Sequence, residues 1–224
     1  MATYKEIKGV TVQTRDEDPT VNAGVWSSGG NLNTTRQQSA NGTTGIQTAG
    51  VASGGQAGGT RYGQTEQYNG SAWTETGDLN TTRSGLASCA TSYTALIVAG
   101  GNSPPVRANA ESFDGSSWTE VADQNAALYE RNGTGTSTNG ILAGGNGNAS
   151  NTETWNGSAW TETTELNLGR GYGAFSGTAD LSIFAGGESS PPSFKTNNEF
   201  WNGTTWTEVN EISTARARGG NAGS

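Results

Sequence analysis

The sequence predicts an all-β fold built from one repeated unit of four short strands. Two observations carry this prediction: a ten-residue hairpin segment occurs four times, and tryptophan, arginine and diglycine landmarks recur with it at a nearly constant spacing. A third observation is that no amphipathic helical pattern fits anywhere in the 224 residues. Self-similarity at a period of about 40 to 50 residues marks a repeat architecture, in which each unit buries its core against a neighbour.

The repeated hairpin segment runs from Glu66 to Glu75 and reads Glu-Gln-Tyr-Asn-Gly-Ser-Ala-Trp-Thr-Glu. Further copies begin at Glu111, Glu153 and Glu199. Asn-Gly or Asp-Gly between strand-forming residues is the strongest short-range hairpin signal, because a type I′ turn needs positive φ at both central residues. The segment therefore predicts a hairpin with a two-residue turn, in which Glu66 lies directly opposite Trp73.

Three landmarks follow one another in every period. Tryptophans stand at Trp26, Trp73, Trp118, Trp160 and Trp206. Arginines follow at Arg36, Arg83, Arg131, Arg170 and Arg216, with an offset of 10 residues except at Arg131, where it is 13. A strand of small and apolar residues then ends in a diglycine, as Ala95–Ala99 does before Gly100. Together with the strand after the arginine and the two strands of the hairpin, this gives four strands per period, which is typical of a β-propeller blade.

Four complete blades run from Arg36 to about Glu208, and both ends of the chain hold parts of a fifth. Residues 215–220 carry the start of an innermost strand, and residues 23–26 supply an outermost strand, with a further strand at 9–13 beside it. We predict a five-bladed propeller whose fifth blade, complete or one strand short, is closed by N- and C-terminal strands, which removes two unpaired sheet edges.

The predicted division of the chain follows from this closure. Residues 1–22 form an N-terminal arm that closes the ring or docks on a partner, and residues 23–224 form the propeller. The alternative is four closed blades with both termini free to bind a neighbour.

The recurrent tryptophans and charged residues are predicted to have structural roles. For Trp73, Trp118, Trp160 and Trp206, packing between adjacent blades is favoured over stacking on sugars. The half-buried glutamates Glu66, Glu111, Glu153 and Glu199 need partners, and the guanidinium groups of Arg36, Arg83, Arg131 and Arg170 can bond a carboxylate in bidentate fashion. We predict a repeated Arg–Glu contact between blades. The functional alternative is an arginine ring that binds an anion at the mouth of the channel.

The segments between the diglycine and the hairpin vary most. They are 56–64, 102–110, 146–151 and 188–198, and in a propeller they all emerge on one face. This variable-loop face holds Arg61, Tyr62, Arg107, Phe194 and Lys195, which are the candidate ligand-binding residues because a rigid scaffold presents function on its loops. The alternative is sequence drift in loops whose charges are simply solvated.

Composition argues against several function classes. A net charge of −8 disfavours nucleic-acid binding, and no apolar run is long enough to span a membrane. The absence of histidine removes the Ser-His-Asp triad, the Cys-His pair and histidine metal sites, so no catalytic residue, metal or cofactor is predicted. A glycan hydrolase remains an outsider, because two carboxylates suffice for glycoside hydrolysis. Cys89 is predicted to be a small buried core residue.

The unit of arginine, diglycine, hairpin and tryptophan resembles the kelch repeat over about residues 23–218. The segment Met1–Ile7, the repeated Asn-Thr-Thr-Arg and the motif Trp-Asn-Gly-Ser-x-Trp-Thr-Glu are similar to kelch-like proteins of tailed bacteriophages of aquatic bacteria, including cyanophages. This resemblance implies a non-catalytic virion component, either a tail-associated host-attachment module that binds cell-surface glycan through the variable-loop face, or a structural capsid-decoration or tail-adaptor protein. The partners it implies are other virion proteins and host polysaccharide, with a homo-oligomer as a further possibility. A copper site of the kelch-type oxidases is not expected without histidine.

Overall fold

The computed structural model describes residues 29–43 and 47–218. These residues form four four-stranded antiparallel sheets, and apart from one 3-10 turn at Asn146–Asn148 their regular structure is entirely strand. The predicted all-β class is therefore confirmed for the described ranges. The predicted arm at 1–22 and the predicted strands at 9–13 and 23–26 lie outside the described residues.

Each predicted period yields one sheet, with its strands paired in chain order. The first sheet starts with β1 (Ala40–Thr43) and β2 (Gly50–Ser53); a small separate hairpin follows, β3 (Gln56–Ala57) and β4 (Thr60–Arg61), and β5 (Thr65–Tyr68) and β6 (Trp73–Thr76) complete the sheet. The second sheet consists of β7 (Ala87–Ser92), β8 (Ala95–Ala99), β9 (Ala110–Phe113) and β10 (Trp118–Val121).

The third and fourth sheets repeat this plan. The third consists of β11 (Asn132–Gly135), β12 (Gly140–Ala143), β13 (Thr152–Trp155) and β14 (Trp160–Thr163). The fourth starts with β15 (Ala174–Gly177) and β16 (Ser182–Ala185), carries the small hairpin β17 (Glu188–Ser189) and β18 (Ser193–Phe194), and ends with β19 (Asn198–Trp201) and β20 (Trp206–Val209). The predicted strand at 95–99 is thus present as β8.

The repeated hairpin has a different turn from the one that the sequence predicts. Tyr68 pairs with Trp73 and Glu66 with Glu75, so the loop spans four residues rather than two, and Glu66 does not lie opposite Trp73. The physical reason is the side chain of Asn69, whose Oδ1 accepts the backbone N–H groups of the second and third residues after it, at 3.0 Å each. Only the glycine that follows has positive φ, at 96°. Asparagine therefore acts here through its side-chain oxygen.

One of the four hairpins uses an aspartate in place of this asparagine. Asp114 Oδ1 accepts the N–H groups of Ser116 and Ser117 at 2.8 Å each. These hydrogen bonds, led by that from the Ser117 backbone, hold the pKa of the exposed Asp114 carboxyl well below its usual range.

Three separate cores lie between consecutive sheets. The first joins Val51 of β2 to Trp118 of β10, and the second joins Ile97 of β8 to Trp160 of β14. The third joins Ile141 of β12 to Trp206 of β20. In each core a tryptophan of the later sheet packs on the earlier sheet, beside the aromatic or aliphatic residues that both sheets contribute. The predicted role of these tryptophans in packing between neighbouring units is therefore confirmed for the three buried ones.

The first strands of the sheets lie side by side, in the order β1, β7, β11 and β15. Each is preceded by a linker that contains a residue with positive φ, between 56° and 67°. These residues are Gln38, Gly85, Glu130 and Tyr172. Arg218, which follows the fourth sheet, has the same conformation with φ at 62°, and we call these five residues the rim. Each of the last four donates its backbone N–H to the carbonyl of the one before it, over 2.8 to 3.2 Å. The rim is thus a backbone chain that ties five successive linkers together.

Candidate functional site

The four predicted Arg–Glu pairs are present and completely buried. The pairs are Arg36–Glu66, Arg83–Glu111, Arg131–Glu153 and Arg170–Glu199, and every one of these side chains is at most 3% exposed. The alternative of an arginine ring that binds an anion is wrong for these four residues, because each guanidinium is already neutralised and shielded from solvent. Burial lowers the pKa of Arg83 and Arg131 even though their glutamates raise it.

The pairs lie within single sheets, whereas the sequence led us to expect contacts between sheets. Arg83 enters the second sheet just before β7, and Glu111 lies on β9 of that same sheet. The guanidinium also donates to the carbonyls of Gly100 at 3.0 Å and Asn109 at 2.6 Å, at the ends of the two middle strands. Each arginine therefore satisfies carbonyl groups at one end of its own sheet, beside the diglycine, because buried carbonyl groups need hydrogen-bond partners.

A recurrent asparagine completes each pair, and sequence reasoning missed it. Asn80 lies outside the strands, and its backbone N–H and its side-chain amide donate to Glu111 Oε2 at 2.8 and 2.9 Å. The same contacts join Asn125 to Glu153 and Asn167 to Glu199. The signal was available, because these residues stand seven positions after a tryptophan in every period.

Arg131 explains the irregular spacing of the arginines. Ten residues after Trp118 stands Leu128, and its carbonyl accepts the Gly101 N–H at 3.0 Å, as the Arg83 carbonyl accepts the Gly55 N–H at 2.9 Å. The backbone place of the arginine is therefore taken by a leucine in the third unit. Arg131 reaches Glu153 from three residues further on, and there its Nη1 also binds Oε1 of the buried Gln124 at 2.5 Å.

The five predicted ligand-binding residues are distributed over three separate loops. Arg61 belongs to β4, Arg107 lies in the loop before β9, and Phe194 belongs to β18. Phe194 is 59% exposed, and Lys195 Nζ donates to Ser193 Oγ at 3.3 Å. Arg107 Nε donates to the Ser103 carbonyl within its own loop, and the N–H of Tyr62 donates to the Gly55 carbonyl. Within the described ranges no hydrogen bond or ion pair joins these five residues into one cluster.

The structure instead gathers polar side chains beside the rim. Every variable loop begins against the residue that precedes a rim residue, in the pairs Gln37–Gln56, Ser84–Asn102, Tyr129–Asn146 and Gly171–Glu188. The rim and the variable loops therefore lie at the same end of the sheets. We call the side chains of Gln38, Gln56, Glu130, Tyr172, Glu188 and Arg218 the rim cluster.

A chain of hydrogen bonds runs through the rim cluster. Gln56 Nε2 donates to Gln38 Oε1 at 2.7 Å, Gln38 Nε2 donates to the Tyr172 hydroxyl at 3.0 Å, and that hydroxyl donates to the Glu130 carboxylate. The chain joins side chains from the linkers of the first, third and fourth sheets. All four side chains are half-buried, so they are held in place and still accessible from solvent.

The charges in the rim cluster are two carboxylates and one guanidinium. The Arg218 guanidinium lies 4.3 Å from the centroid of the Tyr172 ring, and its Nη2 lies 3.4 Å from Glu188 Oε2. Burial raises the pKa of Glu130, opposed by the Tyr172 hydrogen bond and by Arg218, while Glu188 raises it further. Burial and the neighbouring Glu130 also raise the pKa of Tyr172, so its hydroxyl remains a donor at neutral pH.

Other chemistry-bearing groups are few in the part of the chain that the structure describes. These residues contain no group of three or more His, Cys, Asp or Glu side chains that could hold a metal ion. Burial raises the pKa of the Cys89 thiol to about 12, which is consistent with the predicted core role. Over the same ranges, no helix has the length and apolar character needed to cross a membrane.

Comparison with known proteins returns no match, either among the models of protein families or among curated protein sequences.

Proposed function

We propose that the chain is a five-bladed kelch-like β-propeller whose fifth blade is closed by the terminal strands. The main support is that residues 212–218 repeat the linker geometry of the other units. The Ile212 N–H donates to the Thr196 carbonyl at 3.0 Å, as the Leu79 N–H donates to the Gly63 carbonyl at 2.9 Å, and Arg218 takes the fifth place in the rim. A fifth linker implies a fifth blade after it.

The two flanks of the described sheets support the same proposal. Ile183 and Phe200 form a cross-strand pair on the free face of the fourth sheet and are 37% and 38% exposed, whereas the equivalent Ile97 and Ile141 are at most 1% exposed in the cores. On the opposite flank Trp73 is only half-buried, although Trp118, Trp160 and Trp206 are buried. In our proposal the fifth blade covers both flanks.

The proposed biochemical role is a non-catalytic binding module. The observation that carries it is the convergence of the rim cluster and the variable loops at one end of the sheets. Half-buried amide, phenol and carboxylate groups around an aromatic ring are groups that hold hydroxyl-rich ligands by hydrogen bonds and ring contact. The recurrent glutamates, by contrast, are consumed by buried ion pairs and have no access to a substrate.

We further propose that the ligand is a cell-surface glycan and that the protein is a tail-associated host-attachment module of a virion. The kelch-like resemblance and the phage-like sequence motifs support this setting. The test has two parts. Immunogold electron microscopy of purified particles should place label on the tail. Replacement of residues 103–107 or 189–194 by short Gly-Ser linkers, which spares buried Ala110 and the Asn109 carbonyl that Arg83 binds, should weaken binding to host cells without changing the melting temperature. Label on no part of the particle would refute the virion role.

A structural capsid-decoration or tail-adaptor role is the second candidate, and the apolar flank of the fourth sheet favours it. Leu181 is 57% exposed and Val209 is 38% exposed, beside Ile183 and Phe200. A neighbouring virion protein could cover this surface in place of a fifth blade. This role predicts that deletion of residues 1–20 prevents incorporation into particles while loop replacement is tolerated. Glycan hydrolysis, the outsider, predicts release of reducing sugar from host polysaccharide.

A further inference from the structure

The hydrogen-bond chain of the rim cluster has a direction and an end. It starts at Ser84 Oγ, which donates to Gln56 Oε1 at 3.4 Å, and it passes through both glutamine amides and the Tyr172 hydroxyl to the Glu130 carboxylate. Successive donors polarise one another in such a chain. Because the chain ends on a carboxylate, its groups are oriented before any ligand arrives.

The chain leaves hydrogen-bonding capacity for a ligand. An amide side chain has two N–H donors, and Gln38 and Gln56 each use one of them in the chain. Carbonyl and carboxylate oxygens have further lone pairs to accept a hydroxyl group. A ligand with several hydroxyls can donate and accept at once, which suits a surface that offers both kinds of group over a short distance.

The net negative charge of the rim cluster disfavours ligands that carry an acidic group. Glu130 and Glu188 contribute two negative charges, and Arg218, whose side chain is 62% exposed, contributes one positive charge that is already directed at Glu188. The whole protein carries a net charge of −8. A carboxylate or phosphate on the ligand would meet like charge at close range, which is unfavourable in a partly desolvated site.

The rim makes the site rigid. Its five residues are fixed by positive φ and by four backbone hydrogen bonds of 2.8 to 3.2 Å, and the side chains of the cluster project from these residues and from the loop starts beside them. A site that is ordered before binding loses little conformational entropy when the ligand arrives.

We infer that the rim cluster is the ligand site and that it binds uncharged, hydroxyl-rich saccharides while excluding acidic ones. This inference rests on the proposed glycan-binding function and deepens it, since it moves the site from the variable loops to Gln38, Glu130 and Tyr172 and names the class of sugar. The variable loops then surround the site and contribute secondary contacts.

The experiment measures binding of the full chain to matched oligosaccharides by isothermal titration calorimetry. The probes are neutral glucose-, galactose- and mannose-configured oligosaccharides and their uronate-containing counterparts. The expected result is binding of at least one neutral probe, with its acidic counterpart weaker by about tenfold or more. Tyr172→Phe, which keeps the ring and removes the hydroxyl, and Gln38→Ala should each weaken the neutral probe by about tenfold. Glu130→Gln should narrow the preference for neutral over acidic probes.

The matched control variants are Arg61→Ala and Lys195→Ala on the variable loops, which should change affinity by less than about twofold. Melting temperatures verify that all variants are folded. If the neutral probe binds but Tyr172→Phe and Gln38→Ala leave its affinity unchanged, the rim cluster is not the site, although glycan binding stands. Tighter binding of an acidic probe overturns the selectivity. Failure of every probe to bind the unmodified chain would overturn the glycan-binding function itself.

Discussion

Arg131 Nη1 lies 2.7 Å from Glu153 Oε1, although the backbone place that the other paired arginines occupy belongs to Leu128 in this unit. The second unit has Leu79, Arg83 and Leu86 where the third has Gln124, Leu128 and Arg131. The leucine and the arginine have exchanged places, and a buried glutamine accompanies the exchange. A guanidinium can therefore reach the recurrent glutamate of a sheet from either of two backbone positions, as the pairs Arg83–Glu111 and Arg131–Glu153 show.

This exchange predicts a specific rescue. Arg131→Leu leaves Glu153 buried without its cation, which we expect to lower the free energy of unfolding by about 3–5 kcal/mol. The triple variant Gln124→Leu, Leu128→Arg, Arg131→Leu rebuilds the arrangement of the second unit and should recover most of that loss. Urea unfolding measures both. A triple variant as unstable as the single one would show that the two backbone positions are not equivalent.

The tryptophan indoles predict a stabilising substitution at Ala110. Trp118 Nε1 donates to Thr65 Oγ1 at 2.9 Å and Trp206 Nε1 donates to Thr152 Oγ1 at 3.0 Å. At the equivalent place Trp160 faces Ala110, and its buried Nε1 has no hydrogen-bond partner among the described residues. Ala110→Thr should supply the acceptor and raise the free energy of unfolding by about 1 kcal/mol.

The control for this prediction is Thr65→Ala, which creates the defect that the second core already has. It should lower the free energy of unfolding by about 1–3 kcal/mol, because it leaves the Trp118 indole unsatisfied. Ala110→Ser serves as a smaller variant, since Ala110 is fully buried. If neither Ser nor Thr stabilises the chain, the indole of Trp160 is satisfied in another way.

The raised pKa of Glu130 predicts a pH-dependent effect of Glu130→Gln. Burial, the largest cause, makes the folded protein hold this proton to a higher pH than the unfolded chain, whose pKa is near 4.5. Ionised Glu130 therefore lowers stability above the folded pKa, and this penalty is absent below the unfolded pKa. Glu130→Gln should raise the melting temperature at pH 7 more than at pH 4, and an equal change at both values would contradict the assignment.

Cys89 should be inert in the folded protein. Its side chain is 2% exposed, and burial raises the pKa of its thiol to about 12, so both access and the thiolate form are suppressed. We expect an aromatic disulfide reagent to label the native chain at least about 100-fold more slowly than the chain in 6 M guanidinium chloride, because labelling requires opening of the second core. Rapid labelling without denaturant would mean that this core opens readily.

The apolar flank of the fourth sheet predicts the effect of removing residues 1–28. If these residues help to cover Ile183 and Phe200, their deletion should produce concentration-dependent association, which light scattering detects. Phe200→Ser, which copies Ser112 at the equivalent place of the second sheet, should reduce this association. A truncated chain that stays monomeric with an unchanged melting temperature would argue against a fifth blade built from the N-terminal residues.

The sequence predicted the repeated features because they depend on residue identity. The four sheets follow the period of the tryptophans, and the Arg–Glu pairs follow from the need to neutralise a buried carboxylate. The hairpin register was wrong because Asn69 uses its side-chain oxygen in the turn, and an Asn-Gly pair alone does not reveal this use. The sequence showed the offset of 13 residues between Trp118 and Arg131 without its cause, which is the exchange that the hydrogen bond from Gly101 to the Leu128 carbonyl reveals.

The rim cluster could not be predicted from residue types. Its backbone positions hold Gln, Gly, Glu, Tyr and Arg in the five linkers, since positive φ and long-range hydrogen bonds define the rim and no shared side chain does. A positional signal exists, because every rim residue stands 12 residues after a tryptophan. Its meaning becomes visible only when the linkers are brought together in space.

The three cores each join two consecutive sheets, and this has a consequence for how such a protein can change over generations. When stability is a sum of neighbour-to-neighbour terms, an altered loop on one sheet is felt by at most two interfaces. A changed variable loop then calls for matching changes only in the groups that it touches, as loop 146–151 touches loop 188–198 where Asn148 Nδ2 donates to the Ser190 carbonyl at 2.8 Å. A binding surface assembled from such loops can follow a changing ligand in small steps, while the buried arginines and glutamates preserve the scaffold.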